Sequence, residues 1–179
     1  MSDGVRTAIR SEIEGISPLD EEERVAISEA LAWIDSGAEL FRLQKPATPP
    51  RHLVSYFVVV DGDHILLVDH INAELWLPTG GHVDPGEHPR ETVRREALEE
   101  LALEAEFLRS EPLFLTATPT VGKTAGHVDV SIWYVLKGDR SKVLRYDESE
   151  FHSVRWFPKA GVPMHRTDPQ MHRFLEKLG

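Results

Sequence analysis

The stretch GGHVDPGEHPRETVRREALEELAL, residues 80–103, carries the clearest pattern in this chain of 179 residues. Its glycines and prolines predict a loop over residues 79–86, and the run that follows predicts a helix over residues 89–101. Three carboxylates of this helix recur at the spacing i, i+3, i+4 and therefore share one side of it. They belong to Glu96, Glu99 and Glu100.

The neighbouring side of this helix is apolar and is expected to pack inward through Val93, Ala97 and Leu101. Carboxylates on one face repel each other by about a few tenths of a kcal/mol per adjacent pair, and a bound cation would reverse that cost. Oxygen ligands favour hard ions such as Mg²⁺ or Mn²⁺. Arg95 could orient Glu96 or Glu99 by a charge-assisted hydrogen bond. A solvated helix face is the alternative interpretation, but the adjacent glycines, which allow backbone to approach a ligand, favour a metal site.

The spacing of these residues resembles the Nudix box, G-x5-E-x7-R-E-U-x-E-E-x-G-U, in which U is aliphatic. Gly81 is followed after five residues by Glu87, and after seven more by Arg95, so the box covers residues 81–103. The resemblance implies a Nudix-type α/β/α sandwich, an α/β (α+β) fold with a mixed β-sheet. Ala102 stands where the box has its last glycine. A left-handed alanine costs on the order of 1 kcal/mol, so we expect the helix end to shift slightly instead.

The resemblance also implies a reaction. Nudix proteins are mostly hydrolases of a nucleoside diphosphate linked to another group, X, in which divalent cations help a water to attack phosphorus. The implied metal ligands are Glu96, Glu99, Glu100 and the carbonyl oxygen of Gly80. Glu96 could instead accept the proton of the water, and Arg95 would hold it in place. Gly81 and Glu87 would support the loop.

Two further contributions are expected from outside the box. A loop acid sometimes completes such sites, and we favour Glu150 over Asp147 and Glu148, with an exposed turn acid as the alternative. A nucleotide base needs an aromatic or apolar platform. The aromatic candidates, for which core packing is the favoured interpretation, are Phe57, Trp76, Phe114, Trp133 and Trp156.

Histidines and a polar loop supply weaker candidates. His82 and His88 are expected to contact substrate or to cap backbone, and neither is predicted to bind metal. No pair among the nine histidines has a metal-like helical spacing. Lys123 and His127, in the loop over residues 118–127, could contact a phosphate, although a solvated loop lysine is the alternative.

The chain divides into a helical extension, residues 1–45, and a hydrolase domain, residues 46–179. The extension predicts a helix over residues 5–13 and an amphipathic helix that begins near Asp20 and ends near Gly37. We interpret it as a cap or a dimer-forming arm, which suggests a homodimer. Prolines over residues 45–50 indicate a linker. Further strands are predicted over residues 52–60, 65–68, 107–116, 128–136 and 153–157, with a last helix over residues 169–178.

The amino-acid composition restricts which kinds of partner the protein is expected to bind. The chain has 20 basic and 30 acidic residues, a net charge of −10, which disfavours duplex nucleic acid. A small nucleotide that arrives with a divalent cation remains possible as the substrate. The polar amino terminus and the lack of an apolar run near 18 residues predict no membrane span and a cytoplasmic protein.

Two functions remain open at this point. The first is an Mg²⁺-dependent hydrolase of a (d)NTP, a nucleotide sugar or an ADP-ribose type substrate, and Mn²⁺ could replace Mg²⁺. The second is a non-catalytic Nudix module that binds a nucleotide. The intact set of acidic and basic box residues favours the enzyme. An isoprenoid diphosphate isomerase would want a catalytic cysteine, and the chain has none.

Overall fold

The computed structural model describes residues 3–45, 48–120 and 126–179. The helices are α1 (Asp3–Glu14), α2 (Glu21–Asp35), α3 (Pro89–Leu101) and α4 (Met171–Leu178). The strands are β1 (Arg51–Asp61), β2 (His64–His70), β3 (Leu75–Leu77), β4 (Thr79–His82), β5 (Phe114–Pro119), β6 (Val128–Lys137) and β7 (Phe151–Pro158). Short 3₁₀ turns, Lys159–Gly161 and Met164–Arg166, lead into α4. A mixed sheet with flanking helices confirms the predicted α+β class.

Strand β1 is the centre of the sheet. It runs parallel to β6 over residues 51–60, and it pairs antiparallel with β4 over residues 54–57 and with β2 over residues 59–61. The strand order is β3-β2-β1-β6-β5, with β4 beside β1 and β7 beside β2. Because one strand contacts three others, the residues of β1 fix where β4 and β6 present their side chains.

Helices cover both faces of the sheet, which confirms the predicted sandwich. Alternate side chains of a strand point to opposite faces. Phe57 and Val59 accordingly join one core with residues of α1, α2 and α3, whereas Val58 and Val60 join a second core with residues of α4.

The two amino-terminal helices pack against the chain's own sheet. Their buried apolar residues belong to the same core as Leu53 and Phe57 of β1. These residues are Ile9, Ile13, Ile27, Ala30 and Ile34. The apolar face that the sequence periodicity predicted for α2 is therefore buried within the chain itself. Within the described residues, no helix combines the length and the apolar character needed to cross a membrane.

Three predicted elements differ from the structure. The loop expected over residues 79–86 begins as strand β4, because β1 offers free backbone groups that pair even with a glycine-rich segment. The strand expected over residues 107–116 begins only at Phe114, since turn-forming residues and a proline over 110–112 interrupt it. Helix α4 begins at Met171 rather than at Pro169.

The expected shift of the α3 end is also wrong. The helix ends at Leu101, and Ala102 itself adopts the left-handed conformation, with φ 50° and ψ 36°. The amides of Ala102 and Leu103 donate to the carbonyls of Leu98 and Ala97, at 3.1 and 2.9 Å. These hydrogen bonds satisfy carbonyls of the last turn and hold the alanine in a conformation that favours glycine.

Replacing Ala102 with glycine should therefore stabilise the protein. The left-handed strain of about 1–2 kcal/mol would be relieved, and the greater freedom of glycine in the unfolded chain would offset part of that gain. We expect the free energy of unfolding in urea to rise by about 0.5–1 kcal/mol. Ala32→Gly, in the exposed interior of α2, is the matched control and should lower it by about 1 kcal/mol. A destabilised Ala102→Gly variant would contradict the strain.

A buried ion pair joins α2 to the end of the chain. The side chain of Glu23 is fully buried, and its Oε1 lies 2.6 Å from Nζ of Lys177, which is 11% exposed. Its carboxylate also accepts hydrogen bonds from the amides of Leu19 (2.6 Å) and Leu115 (3.2 Å). This arrangement fixes α2 against α4 and β5, because an unpaired carboxylate could not stay at that depth without a large cost.

Lys177→Met should leave the Glu23 carboxylate buried without its cation. We expect the free energy of unfolding to fall by about 3 kcal/mol, measured by urea denaturation. The double variant Glu23→Gln/Lys177→Met should recover part of that loss, since it removes the stranded charge. If Lys177→Met unfolds like the parent protein, the ion pair does not anchor α2.

Candidate functional site

A group of acidic side chains lines a cavity of about 540 Å³ between β1, β4, α3 and the segment before β7. The carboxylates along its wall belong to Asp84, Glu96, Glu99, Glu100, Asp129 and Glu150. The structure thus brings together the three predicted helix acids and the favoured loop acid. Residues outside the Nudix-like stretch close the cavity on its other side.

The acidic face of α3 forms because its apolar side is held on the sheet. Val93, Ala97 and Leu101 are buried, as the sequence predicts. Across the helix surface the side chain of Glu96 is 14% exposed and that of Glu99 is 61% exposed. The acidic face therefore runs from the buried floor of the cavity to its rim.

Arg95 ties this face to the loop that precedes the helix. Its Nη1 lies 2.6 Å from Oε1 of Glu96 and 3.6 Å from Oε2 of Glu99. Its Nη2 lies 3.1 Å from Oε2 of Glu87, which also accepts a hydrogen bond from the Thr92 hydroxyl at 2.7 Å. Glu87 does not line the cavity; it fixes the guanidinium that fixes Glu96.

The buried carboxylate of Glu100 has too few favourable contacts to stabilise its negative charge. Burial raises the pKa of Glu100 to about 9, and the charges of Glu96 and Glu150 add to the effect. Burial also raises the pKa of Glu96, although Arg95 opposes that shift. The amide of Gly80 donates to Oε2 of Glu100 at 3.2 Å, which offsets only part of the cost. A hard divalent cation fits this set of oxygen donors, because it would stabilise the ionised form of each.

The two glycines of β4 are required by close contacts. A Cβ at Gly81 would lie 2.0 Å from Oε1 of Glu96. A Cβ at Gly80, whose φ is 149°, would lie 2.1 Å from the backbone oxygen of Ser55. Gly80 therefore allows β4 to approach β1, and Gly81 leaves the space that Glu96 occupies.

Of the remaining residues predicted for the site, some line the cavity and others have local structural roles. Glu150 faces the cavity, whereas the carboxylate of Asp147 accepts from the amide and hydroxyl of Ser149, at 2.8 and 2.6 Å, as a turn residue does. Glu148 is exposed. His88 caps α3, its Nδ1 accepting from the Arg90 amide at 3.3 Å. Lys123 lies outside the described residues.

His82 enters the cavity at the end of β4. Its Nε2 accepts from Nη1 of Arg42 at 3.0 Å. Burial and the positive charge of Arg42 lower the pKa of His82 to about 3, so its imidazole is neutral. His127 lies beside Asp129, with Nε2 3.2 Å from Oδ1.

Sequence reasoning missed several residues that line the cavity. Arg42 and Lys45 supply positive charge, and Tyr56, which is partly buried, supplies aromatic surface. Of the five aromatic residues that were considered, Phe57, Phe114 and Trp133 are buried in the core. Trp76 and Trp156 are partly buried and do not line this cavity. Their core-packing interpretation is confirmed, and only the alternation of β1 could have pointed to Tyr56.

Comparison with known proteins identifies the family. A model of the NUDIX domain matches residues 50–178. No match was found among curated proteins.

Solved structures share the fold. The MutT NUDIX hydrolase from Burkholderia pseudomallei has a TM-score of 0.61 and 22% identity, covering 72% of this chain and 98% of that chain. The Escherichia coli dihydroneopterin triphosphate pyrophosphohydrolase has a TM-score of 0.55 and 12% identity, covering 70% and 92%. The NUDIX domain of Shewanella oneidensis NrtR, in complex with ADP ribose, has a TM-score of 0.55 and 21% identity, covering 70% and 84%.

At these identities the solved structures establish a common fold, and the match of the domain model establishes the family. That match spans well over half of the chain. The protein therefore belongs to the Nudix family, as a hydrolase of phosphoric anhydrides.

Proposed function

We propose that this protein is an Mg²⁺-dependent hydrolase of a nucleoside diphosphate linked to a second group, with water attacking phosphorus. The observation that carries the proposal is the convergence of Glu96, Glu99, Glu100 and Glu150 on one cavity. Such a set is costly to keep without a ligand, and it is suited to neutralising the charge of a diphosphate through a metal ion.

The proposed metal ligands are Glu96, Glu99, Glu100 and the carbonyl oxygen of Gly80. All four residues line the cavity, and carboxylate and carbonyl oxygens suit Mg²⁺, with Mn²⁺ as a substitute. When bound, the ion would neutralise the diphosphate and activate the attacking water. The raised pKa of Glu100 supports this assignment, because a bound cation would stabilise the ionised carboxylate and so lower that pKa.

The protein's own residues orient the reaction. In the proposal, Glu96 accepts the proton of the attacking water, and the 2.6 Å contact with Arg95 holds its carboxylate in place. Glu150, on the facing side of the cavity, is the second candidate for this base. Arg42 and Lys45 are positioned to contact phosphate oxygens of the substrate.

The substrate class follows from the cavity and the charge of the chain. A volume of about 540 Å³ suits one nucleotide-sized ligand, and Tyr56 offers aromatic surface beside the charged groups. The proposed substrates are a (d)NTP, a nucleotide sugar or an ADP-ribose type compound. Two related structures agree with this range, since one is a triphosphate pyrophosphohydrolase and the other holds ADP ribose.

A panel of nucleotides incubated with Mg²⁺ would test the reaction, with products identified by mass and the water labelled with ¹⁸O. We expect label in a phosphate product from at least one substrate. Glu99→Gln should lower Mg²⁺-dependent turnover at least about 100-fold, because metal catalysis is worth several kcal/mol. Glu91→Gln, an exposed acid on the same helix, is the matched control.

Unchanged turnover in Glu99→Gln would remove the metal assignment. Tight binding of a nucleotide without any cleavage would instead favour the second function considered from the sequence, a non-catalytic binding module.

Gly81→Ala should impair catalysis without unfolding the domain. The added Cβ would displace the carboxylate of Glu96, and a shift of about 1 Å in a catalytic group can cost roughly 100-fold in rate. Turnover and circular dichroism should be measured together, with Gly4→Ala as control, since a Cβ there meets no atom within 4 Å. Full activity in Gly81→Ala would show that Glu96 need not occupy this position.

Three expectations stay predictions from the sequence: the division into residues 1–45 and 46–179, the homodimer and the cytoplasmic location. The structure adds to the first only that α1 and α2 share a core with the sheet.

A further inference from the structure

A second group of potential metal ligands lies outside helix α3, and two of its members, His82 and Asp129, line the same cavity as the acidic face of α3. It consists of His52 on β1, His82 at the end of β4, His127 immediately before β6, and Asp129 on β6. One nitrogen from each histidine and one oxygen from the aspartate lie within 4.8 Å of one another. We call these four residues the histidine cluster.

Sheet register brings the histidine cluster together. His52 is the direct partner of Asp129 in the parallel pairing of β1 with β6. His82 is paired with Val54, two residues further along β1, so its side chain lies on the same face as that of His52. Strand pairing therefore positions His52, His82 and Asp129, and His127 lies immediately before β6.

The three imidazoles surround one oxygen of Asp129. Oδ1 lies 3.2 Å from Nε2 of His52, 3.2 Å from Nε2 of His127 and 3.9 Å from Nε2 of His82. The side chain of His52 is fully buried, and that of His127 is 4% exposed. Solvent has little access to the inner side of the cluster.

Outer contacts determine which ring nitrogens carry hydrogen. Nδ1 of His52 lies 2.9 Å from the carbonyl oxygen of Pro49, which can only accept, so this Nδ1 is protonated. The Thr120 hydroxyl lies 3.1 Å from Nδ1 of His127 and 3.1 Å from the backbone oxygen of the same residue. Arg42 can only donate, so Nε2 of His82 is an acceptor.

The Nε2 atoms of His52 and His127 face the carboxylate of Asp129, whereas Nε2 of His82 is engaged by Arg42. Nε2 of His52 and Oδ1 of Asp129 are both buried, and neither has a hydrogen-bond partner among the described residues, although they are 3.2 Å apart. Two buried polar atoms that are left without a hydrogen bond are costly, and a cation bound between them would remove that cost.

We propose that the histidine cluster is a second metal site, one that takes a borderline divalent cation such as Zn²⁺. Three imidazole nitrogens and one carboxylate oxygen are a typical tetrahedral donor set for zinc. The hydrogen bonds at Nδ1 of His52 and His127 are the outer contacts that orient metal-binding histidines. The site differs in chemistry from the oxygen-only face of α3, and Arg42 must leave Nε2 of His82 when the ion binds.

Zinc binding to the full chain, stripped with a chelator and measured in excess Mg²⁺ without substrate, tests this proposal. Calorimetry should give one Zn²⁺ per chain, and Co²⁺ in its place should produce the visible absorption of a tetrahedral complex. Zinc at 100 times its Kd should raise the Tm by about 5–10 °C.

Matched variants locate the ion. Asp129→Asn and His127→Gln, which conserve shape, should each weaken zinc binding at least about 100-fold and abolish the rise in Tm. His165→Gln, an exposed histidine outside the cluster, should bind zinc like the parent chain. Glu99→Gln should also keep the zinc, because it alters only the acidic face of α3.

Three outcomes would overturn the proposal. One is the absence of stoichiometric zinc in the folded parent chain. Another is loss of zinc in Glu99→Gln with retention in His127→Gln, which would move the ion to the glutamates. The third is an NMR spectrum with ¹⁵N shifts of protonated Nε2 that added zinc leaves unchanged, which would make the cluster a histidine–aspartate ion pair. Since no substrate is present, each outcome is independent of whether the protein hydrolyses nucleotides.

Discussion

Mutual repulsion among the carboxylates of α3 is the constraint around which the rest of the structure is arranged. Glu96 and Glu100 lie close together at the inner part of the cavity, and burial raises the pKa of both. A helix in water could relieve such repulsion by fraying. Here the apolar side of α3 is held on the sheet, and the glycine strand β4 is pressed against the acidic side. The fold therefore keeps a costly arrangement that only a ligand of opposite charge would make favourable.

Arg95 explains why the acids stay in place before such a ligand arrives. Its guanidinium is shared between Glu96 on the cavity side and Glu87 on the loop side, with contacts of 2.6 and 3.1 Å. The partly buried ion pairs are less screened by solvent than exposed ones. The Arg95 side chain thus couples the conformation of the loop to the orientation of the proposed base. The spacing between Glu87 and Arg95 matters because it lets one guanidinium contact both Glu87 and Glu96.

Local patterns in the sequence were enough for the helix and its acidic face, because positions three and four residues apart meet on any α-helix. They did not predict strand β4, since Gly80 and Gly81 have no preference for a strand and pair only because β1 lies beside them. Arg42 and Tyr56 were missed for a related reason. Their approach to the cavity depends on how distant segments pack, which no spacing along the chain encodes. Ala102 shows a third limit, in which two backbone hydrogen bonds outweigh a residue's own conformational preference.

Strand β4 is the element through which the acidic face of α3 and the histidine cluster can influence each other. Gly81 leaves the space taken by Glu96, and the next residue, His82, belongs to the histidine cluster. Hard and borderline cations prefer different donors, so an oxygen-only set and a nitrogen-rich set can coexist this closely without competing for one ion. A cation that fixes His82 would also restrict the backbone of Gly81. The position of Glu96 would then depend on how rigidly β1, β4 and β6 are held at their shared end, as well as on Arg95.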